Sequence, residues 1–281
     1  MPRPVHSRVL LAAGFSLGLF LGLLAAAAAQ SPSTEAALSS AVCPIVYQLD
    51  ESPSARGYHY TFYGNAFFIN EQGYLLTVAH VLDNFRDGGQ PYILLTRPNG
   101  PPHLVRADII EADHPHDVAI LRANPNPFAS SHKLTFLPLA SEKVAAGQAV
   151  LALSLHPSKP QYAQSYQIPV EDRSSGEVLS YESTQLEKSA PPAEVFLLSH
   201  PVTLGQSGSP VLAVDTNAVV GLVEGRWLRA SSAALAKAGA APGAAIPIQY
   251  AIDLLQKQSI TWHTPQAVQP ASSTVPSGNA H

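Results

Sequence analysis

A serine between two glycines is the residue of this chain best suited to chemistry. In Gly205-Gln206-Ser207-Gly208-Ser209-Pro210 the glycines allow the backbone to turn sharply and to expose its amide groups around the Ser207 hydroxyl. Amides beside such a hydroxyl can stabilise the oxyanion that develops when it attacks a carbonyl carbon. A serine hydroxyl alone is a weak nucleophile, so the pattern predicts a base elsewhere in the chain.

Two upstream segments supply a base and its partner. His80 ends an apolar run in Thr77-Val78-Ala79-His80-Val81, and Asp117 opens another in Asp117-Val118-Ala119-Ile120-Leu121. A histidine can take the serine proton, and an aspartate can hold the imidazole in one tautomer. The order His, Asp, Ser is one of the three chain orders known for this constellation. The spacing therefore predicts His80, Asp117 and Ser207 as catalytic residues.

Together the three segments resemble the trypsin-like serine peptidases, and the Deg/HtrA-like branch most closely. The family segments T-x-A-H-V, D-[LVI]-A-[VI]-L and G-N-S-G-[GS]-P correspond here to residues 77–81, 117–121 and 205–210, and the resemblance covers about residues 41–257. It implies an all-β fold of two antiparallel six-stranded β-barrels with a short C-terminal helix. It also implies a site in the cleft between the barrels, with the amides of Gly205 and Ser207 as the oxyanion hole.

The function that this resemblance implies is serine endopeptidase activity through an acyl-enzyme intermediate, with polypeptide substrates and no cofactor. An inactive trypsin-like module that binds peptides without cutting them is the alternative. An α/β-hydrolase esterase fits less well, because Ser209 replaces the last glycine of G-x-S-x-G and the histidine comes first. Many Deg/HtrA-like chains carry a PDZ domain after the closing helix, and none is expected here.

The elements that must position these residues are predicted as short strands. Runs rich in Val, Ile, Tyr, Phe and Leu, many of them separated by turn residues, predict strands at residues 41–48, 58–63, 65–70, 73–79, 92–97, 103–112, 117–122, 148–154, 162–169, 176–182, 194–199, 209–214 and 218–224. Such regular short strands favour barrels over an α/β sheet. We expect a first barrel at about 41–123 and a second at about 138–250, within a peptidase domain at 41–262.

Composition limits the partners and cofactors. The 281 residues are 46% hydrophobic and 13% charged, which is enough apolar material for a sizeable core. The net charge of −4 and the lack of a basic block argue against nucleic acid as a partner. Cys43 is the only cysteine, so no intrachain disulfide can form. No metal is expected, because the proline in His114-Pro115-His116-Asp117 and the absence of a second cluster argue against a metal site. The oligomeric state stays open.

The two ends of the chain predict export and a disordered tail. Residues 1–29 combine Arg3 and Arg8 with an apolar run and a terminal alanine cluster, which predicts a signal peptide. The run at 9–29 is also long enough to span a bilayer, so a retained membrane anchor is the alternative. Either way we expect an exported protein, periplasmic or extracellular, or anchored to the membrane and facing outside the cytoplasm. Residues 30–40 are expected to form a polar leader and 263–281 a disordered tail.

Substrate preference is predicted from four residues that the resemblance places at the binding pocket, Pro201, Val223, Glu224 and Gly225. No aspartate stands six residues before Ser207, so a trypsin-like preference for Lys or Arg is not predicted. Val223 replaces the histidine that glutamyl endopeptidases use, although His200 could substitute for it. The remaining expectation is cleavage after small or medium apolar residues. A Glu224 carboxylate turned into the pocket would instead favour a basic residue.

Overall fold

Runs rich in β-branched and aromatic residues form the strands of the first barrel. The computed structural model of the protein describes residues 32–49, 60–97, 100–129, 134–156, 164–165, 169–228 and 241–265. The first-barrel strands are β1 (Val42–Gln48), β2 (Tyr60–Phe68), β3 (Tyr74–Thr77), β4 (Pro91–Arg97), β5 (Gly100–Asp113) and β6 (Val118–Asn124). They pair in the order β1-β4-β5-β6-β3-β2, and an antiparallel pairing of β1 with β2 closes the barrel.

A second closed barrel follows in the chain. Its strands are β7 (Ala149–His156), β9 (Val170–Thr184), β10 (Ala193–Leu198), β11 (Pro210–Ala213), β12 (Val219–Arg226) and β13 (Gly243–Pro247), paired in the order β10-β13-β12-β11-β7-β9. The two-residue strand β8 (Gln164–Ser165) lies between β7 and β9 in the sequence. A C-terminal helix at Ile248–Lys257 follows directly on β13. The expected fold of two six-stranded antiparallel barrels with a short closing helix is therefore confirmed.

Two strand predictions were wrong in detail. Residues 60–68, which span most of the runs predicted at 58–63 and 65–70, form one strand, β2, and Gly64 does not interrupt it. Strand β2 has a bulge beside Gly64: Ile45 pairs with Gly64 and Val46 with Phe62, so Tyr63 is the extra residue. The run at 162–169 is not a strand of the second barrel, since its residues Gln164–Ser165 pair with β2 of the first barrel and β13 takes the sixth position. Residues 162–163 and 166–168 lie outside the described residues.

Segments on both sides of the barrels contribute to the fold. Helix α1 (Pro32–Ser40) occupies most of the predicted polar leader, and its Leu38 is buried. At the other end, Leu139 N donates to His263 O at 2.8 Å and the His263 ring stacks on Phe136, so the fold extends at least to His263. Residues 1–29 and 266–281 lie outside the described residues. Across the described ranges, no helix is both long enough and apolar enough to cross a membrane.

Buried apolar clusters hold the strand ends on which the site is built. The larger cluster fills the first barrel and extends to the C-terminal helix, with Phe67, Leu76 and Leu121 fully buried. The second barrel has its own cluster, which includes Phe196 and Val223. Burying one such side chain contributes about 1.5–3 kcal/mol. The strands are thereby fixed in place, while the connections at their ends remain available to the site.

Candidate active site

The first barrel presents His80 and Asp117 from two neighbouring strand ends. The strand β3 ends at Thr77, and one helical turn, α2 (Ala79–Leu82), carries His80 out of the sheet. Asp117 ends the turn before β6 with φ 54°, a left-handed conformation that aspartate tolerates better than most residues. The carboxylate binds the histidine twice: His80 N donates to Oδ1 at 2.8 Å, and Nδ1 of the ring lies 2.8 Å from Oδ2. This double contact fixes both the position and the tautomer of the imidazole.

The environment of His80 favours its charged form. Burial alone lowers the pKa of the imidazole, because it disfavours the charged ring. The hydrogen bond and charge of Asp117 outweigh burial, and the charges of Glu224 and Asp83 act in the same direction. The pKa of His80 is therefore raised above its usual value, while Asp117 itself is only 6% exposed.

The loop that carries Ser207 is anchored to β12 and depends on its glycines. Gly205 and Gly208 have φ of 93° and 81°, which only glycine adopts without strain. Gly208 N donates to Val223 O at 2.8 Å, and Val223 N donates to Ser209 O at 2.9 Å. These two bonds hold the residues after Ser207 against the second barrel.

Gln206 fixes the other half of the loop from within. Its side chain is almost fully buried, and its Oε1 accepts a hydrogen bond from Thr203 N at 2.6 Å. Its Nε2 donates to Oδ2 of Asp172 on β9 at 2.6 Å. The family pattern has asparagine at this position. The longer glutamine contacts both its own loop and strand β9.

Some polar groups of Ser207 and of its loop lack partners within the described part of the protein. Among the described residues, the amides of Gly205 and Ser207 have no hydrogen-bond partner, so both can donate to an incoming oxygen. The Ser207 hydroxyl donates to Glu224 O at 3.0 Å, and no hydrogen bond joins it to His80 within the described residues. Gly64 is close to both the serine loop and the helical turn of His80: a Cβ built on it would lie 2.8 Å from Ser207 O and 2.8 Å from Cγ2 of Val81, the residue after His80. The Ser207 loop therefore lies beside that turn.

Asn65 is a residue of the site that sequence reasoning missed. It is 0% exposed, and its Nδ2 donates to Gly205 O at 2.8 Å while its Oδ1 accepts from Leu155 N at 3.0 Å. Its backbone N donates to Ser207 O at 2.8 Å. Asn65 therefore connects β2 of the first barrel with the serine loop and β7 of the second. The available signal was a lone amide inside an otherwise apolar strand, where it must find partners.

A charged cavity of about 380 Å³ lies beside His80 and Asp117. Its other lining residues come from several connections: Asp83, Arg86, His114, Leu186, Glu187, Lys188 and Glu224. One ligand-type oxygen or nitrogen from each of His80, Asp117 and Glu224 lies within 4.8 Å of the others. Such residues can also bind a divalent cation, but both oxygens of Asp117 already bind His80.

Glu224 faces the histidine because of an irregularity in β12. Val223 pairs with Ala245 and Gly225 with Ala244, so Glu224 is the extra residue of a β-bulge. A bulge interrupts the alternation of side chains and redirects the residue it contains. Burial and the neighbouring Asp117 carboxylate raise the pKa of Glu224 above its usual value, and His80 opposes them.

The other residues predicted for the substrate pocket have different surroundings. Pro201 is exposed, and a Cβ on Gly225 would meet no atom within 4 Å, so space is open at both positions. Val223 is 0% exposed and packs in the core of the second barrel, so its side chain does not line the cleft. His200 is 8% exposed, and neither ring nitrogen has a hydrogen-bond partner within the described part of the chain.

Comparisons with known proteins agree with this fold. A family model described as a trypsin-like peptidase domain matches residues 64–222. The chain is similar to the solved MamO protease domain from Magnetospirillum magneticum, with 15% identity, a TM-score of 0.57, and coverage of 78% of this chain and 98% of that one. The active form of the Rv3671c protease from M. tuberculosis has 18% identity, a TM-score of 0.55, and coverage of 83% and 86%. Deg5 has 16% identity, a TM-score of 0.54, and coverage of 79% and 90%. At these identities the likeness shows the fold, and no curated protein matches the chain.

Proposed function

The chain belongs to the trypsin-like peptidase domain family, and we propose that it is a serine endopeptidase with Ser207 as nucleophile. The observation that carries this proposal is the pair of unbonded amides at Gly205 and Ser207, beside a histidine that Asp117 holds by two hydrogen bonds. A tetrahedral acyl-transfer intermediate needs such free donors near its oxyanion, and these two amides are the proposed pair.

In the proposed reaction, Ser207 Oγ attacks the peptide carbonyl carbon while its proton moves to Nε2 of His80. The carbonyl oxygen becomes an oxyanion and accepts hydrogen bonds from the two free amides. His80 then gives the proton to the leaving amine, the C–N bond breaks and an acyl-enzyme remains. Water attacks the acyl group with His80 again as base, which releases the acid and restores Ser207. Asp117 stabilises the imidazolium throughout without taking the proton.

The first step requires a rotation of the Ser207 side chain. Its hydroxyl donates to Glu224 O, so Oγ must turn about the Cα–Cβ bond before it can donate to His80. In the proposed reaction this movement is a change between staggered rotamers of Ser207.

Active-site labelling tests the proposal. A fluorophosphonate probe should label the wild type on Ser207, and Ser207→Ala should abolish both labelling and peptide hydrolysis while the protein stays folded. Ser209→Ala is the matched control, because Ser209 is a buried serine two residues away whose hydroxyl has no partner among the described residues. It should still be labelled, and peptide mapping should locate the adduct on Ser207.

A non-catalytic peptide-binding module is the second candidate. The hydrogen bond from Ser207 Oγ to Glu224 O favours it, because it draws the hydroxyl away from His80. A folded wild type that binds peptides but neither reacts with the probe nor hydrolyses them would replace the enzyme proposal with this one.

Substrate preference and location complete the proposal. We propose cleavage after small or medium apolar residues, supported by the absence of an acid at Pro201 and by the direction of Glu224 toward His80. A peptide library read by mass spectrometry tests this, and dominant cleavage after Lys, Arg or Glu would contradict it. We also propose that residues 1–29 direct export, which the intact mass of the exported protein would test.

A further inference from the structure

Glu224 is adjacent to every member of the proposed triad. Its backbone oxygen accepts the hydrogen bond of Ser207 Oγ at 3.0 Å, and its carboxyl group lies within 4.8 Å of His80 and Asp117. We propose that Glu224 is a positioning residue that acts through His80: its carboxylate is a second acidic neighbour that stabilises the imidazolium and sets the pH range in which the ring accepts the Ser207 proton. This inference rests on the proposed serine peptidase function.

The two carboxylates have different roles because their contacts differ. Asp117 uses one oxygen on His80 N and the other on Nδ1, so it orients the ring. No hydrogen bond joins Glu224 to the ring within the described residues, so Glu224 acts on it through charge alone. A charge–charge interaction at this distance is substantial in a partly buried site, where solvent screens it less than at the surface.

The other charged groups around this site largely compensate one another. Asp83 and Arg86 lie on the turn after α2 and pair at 2.7 Å. His114 lies 3.7 Å from Asp83 and 3.4 Å from the Arg86 guanidinium. Glu187 and Lys188, which also line the cavity, carry opposite charges and are exposed. Glu224 therefore remains the main uncompensated acid beside the His80–Asp117 pair.

The sign of the effect follows from these charges. Ionised Glu224 favours the protonated ring, so it raises the pKa of His80 and moves the acid limb of kcat/KM to higher pH. The same charge stabilises the imidazolium that forms during acyl transfer, so it supports kcat once His80 starts neutral. Removing the charge in Glu224→Gln should therefore move the acid limb to lower pH and lower the kcat plateau, with little change in KM.

An NMR titration tests the electrostatic step without requiring activity. The His80 ring signals would be followed against pH in the Ser207→Ala protein, with and without Glu224→Gln. The His80 pKa should fall on Glu224→Gln, fall less on Asp83→Asn because Asp83 is paired with Arg86, and change least on Glu187→Gln. A His80 pKa that Glu224→Gln leaves unchanged would overturn the proposal.

Steady-state kinetics on the otherwise unaltered enzyme test the consequence. The ratio of kcat/KM at about pH 5.5 to that at about pH 8 should rise roughly three- to tenfold in Glu224→Gln. Glu224→Asp keeps the charge and should lie nearer the wild type, which a merely structural role would not produce. A chelator in every buffer removes any divalent cation at these residues. A wild type that the fluorophosphonate probe does not label refutes the proposed function, whereas the NMR result decides the role of Glu224 by itself. Identical pH profiles for Glu224→Gln and the wild type would also overturn the inference.

Discussion

Replacing Asn65 by aspartate should make the stability of the protein depend on pH in a way that the wild type does not. The Asn65 amide donates to Gly205 O at 2.8 Å and accepts from Leu155 N at 3.0 Å, with no exposed surface. Aspartate has the same shape. When protonated it can still donate to Gly205 O and accept from Leu155 N, but when ionised it places a buried negative charge against the Gly205 carbonyl.

The magnitude follows from the two hydrogen bonds. Asn65→Ala leaves Gly205 O and Leu155 N without their partners, and at about 1–3 kcal/mol each the loss is about 2–6 kcal/mol of unfolding free energy. Asn65→Asp should cost much less near pH 4, where the carboxyl can stay protonated. Burial raises the pKa of such a carboxyl above the value of about 3.9 in the unfolded chain. Stability relative to the wild type therefore falls by up to about 1.4 kcal/mol per pH unit as pH rises from there to the folded-state pKa, and it is constant above it.

Urea unfolding of the wild type and both variants between about pH 4 and pH 8 is the assay. The catalytic rate adds a second measurement. The hydrogen bond to Gly205 O orients the turn that carries the proposed oxyanion donors, and losing one such donor costs about 3 kcal/mol. A loss of stability for Asn65→Asp that is equal at every pH, or absent, would refute the assignment of Asn65 Nδ2 as the donor to Gly205 O.

Two further perturbations follow from the same packing. Gly208→Ala should unfold the protein or strongly lower its Tm, because φ is 81° and a Cβ would collide with Asn65 O. Gly147→Ala is the control: φ is 84° but the surrounding space is open, so the substitution should cost only about 1 kcal/mol of unfolding free energy. Equal losses of stability in the two variants would contradict the argument. Burial lowers the pKa of His200 despite the opposing charge of Asp172, so the folded protein holds this ring in its neutral form. The unfolded chain protonates the ring more readily, so the free energy of unfolding decreases as pH falls below about 6.5. His200→Leu should therefore gain stability relative to the wild type on acidification, as denaturant unfolding at about pH 5 and pH 7.5 would show, whereas parallel losses would count against it.

Local patterns were sufficient for the barrels and for the neighbourhood of the motif residues. His80 follows one apolar strand run and Asp117 precedes another. Because the two strands, β3 and β6, are neighbours in the first barrel, the two side chains meet. The loop of Ser207 is joined to the first barrel by a long-range hydrogen bond from Asn65 N to Ser207 O. The catalytic roles of the three residues stay a prediction, since adjacency does not establish reactivity.

Which strands pair was harder to predict from the sequence, because the residues that decide the pairing are distant from one another along the chain. The run at 162–169 has a strand-like composition, yet Gln164–Ser165 pairs with the first barrel, and nothing within the run specifies that partner. The sequence predicts separate strands on either side of Gly64, whereas this glycine lies within β2 and lets Ser207 O and Val81 approach its backbone. A glycine inside a strand is ambiguous between a break and a close approach until the opposing loop is known.

The direction of Glu224 is the feature that sequence alone was least able to provide, and the bulge explains why. In a regular strand, Val223 facing the core would send Glu224 outward, and sequence reasoning could only choose between solvent and the substrate pocket. The bulge between Val223 and Gly225 breaks that alternation and turns the carboxyl group toward His80 and Asp117. A bulge exists only in relation to the partner strand, here Ala244 and Ala245 of β13, which lie some twenty residues further along the chain. The pH behaviour proposed for this site is thus determined by a register between two strands, and Gly225, a glycine inside a strand, is the one local cue that the register is irregular.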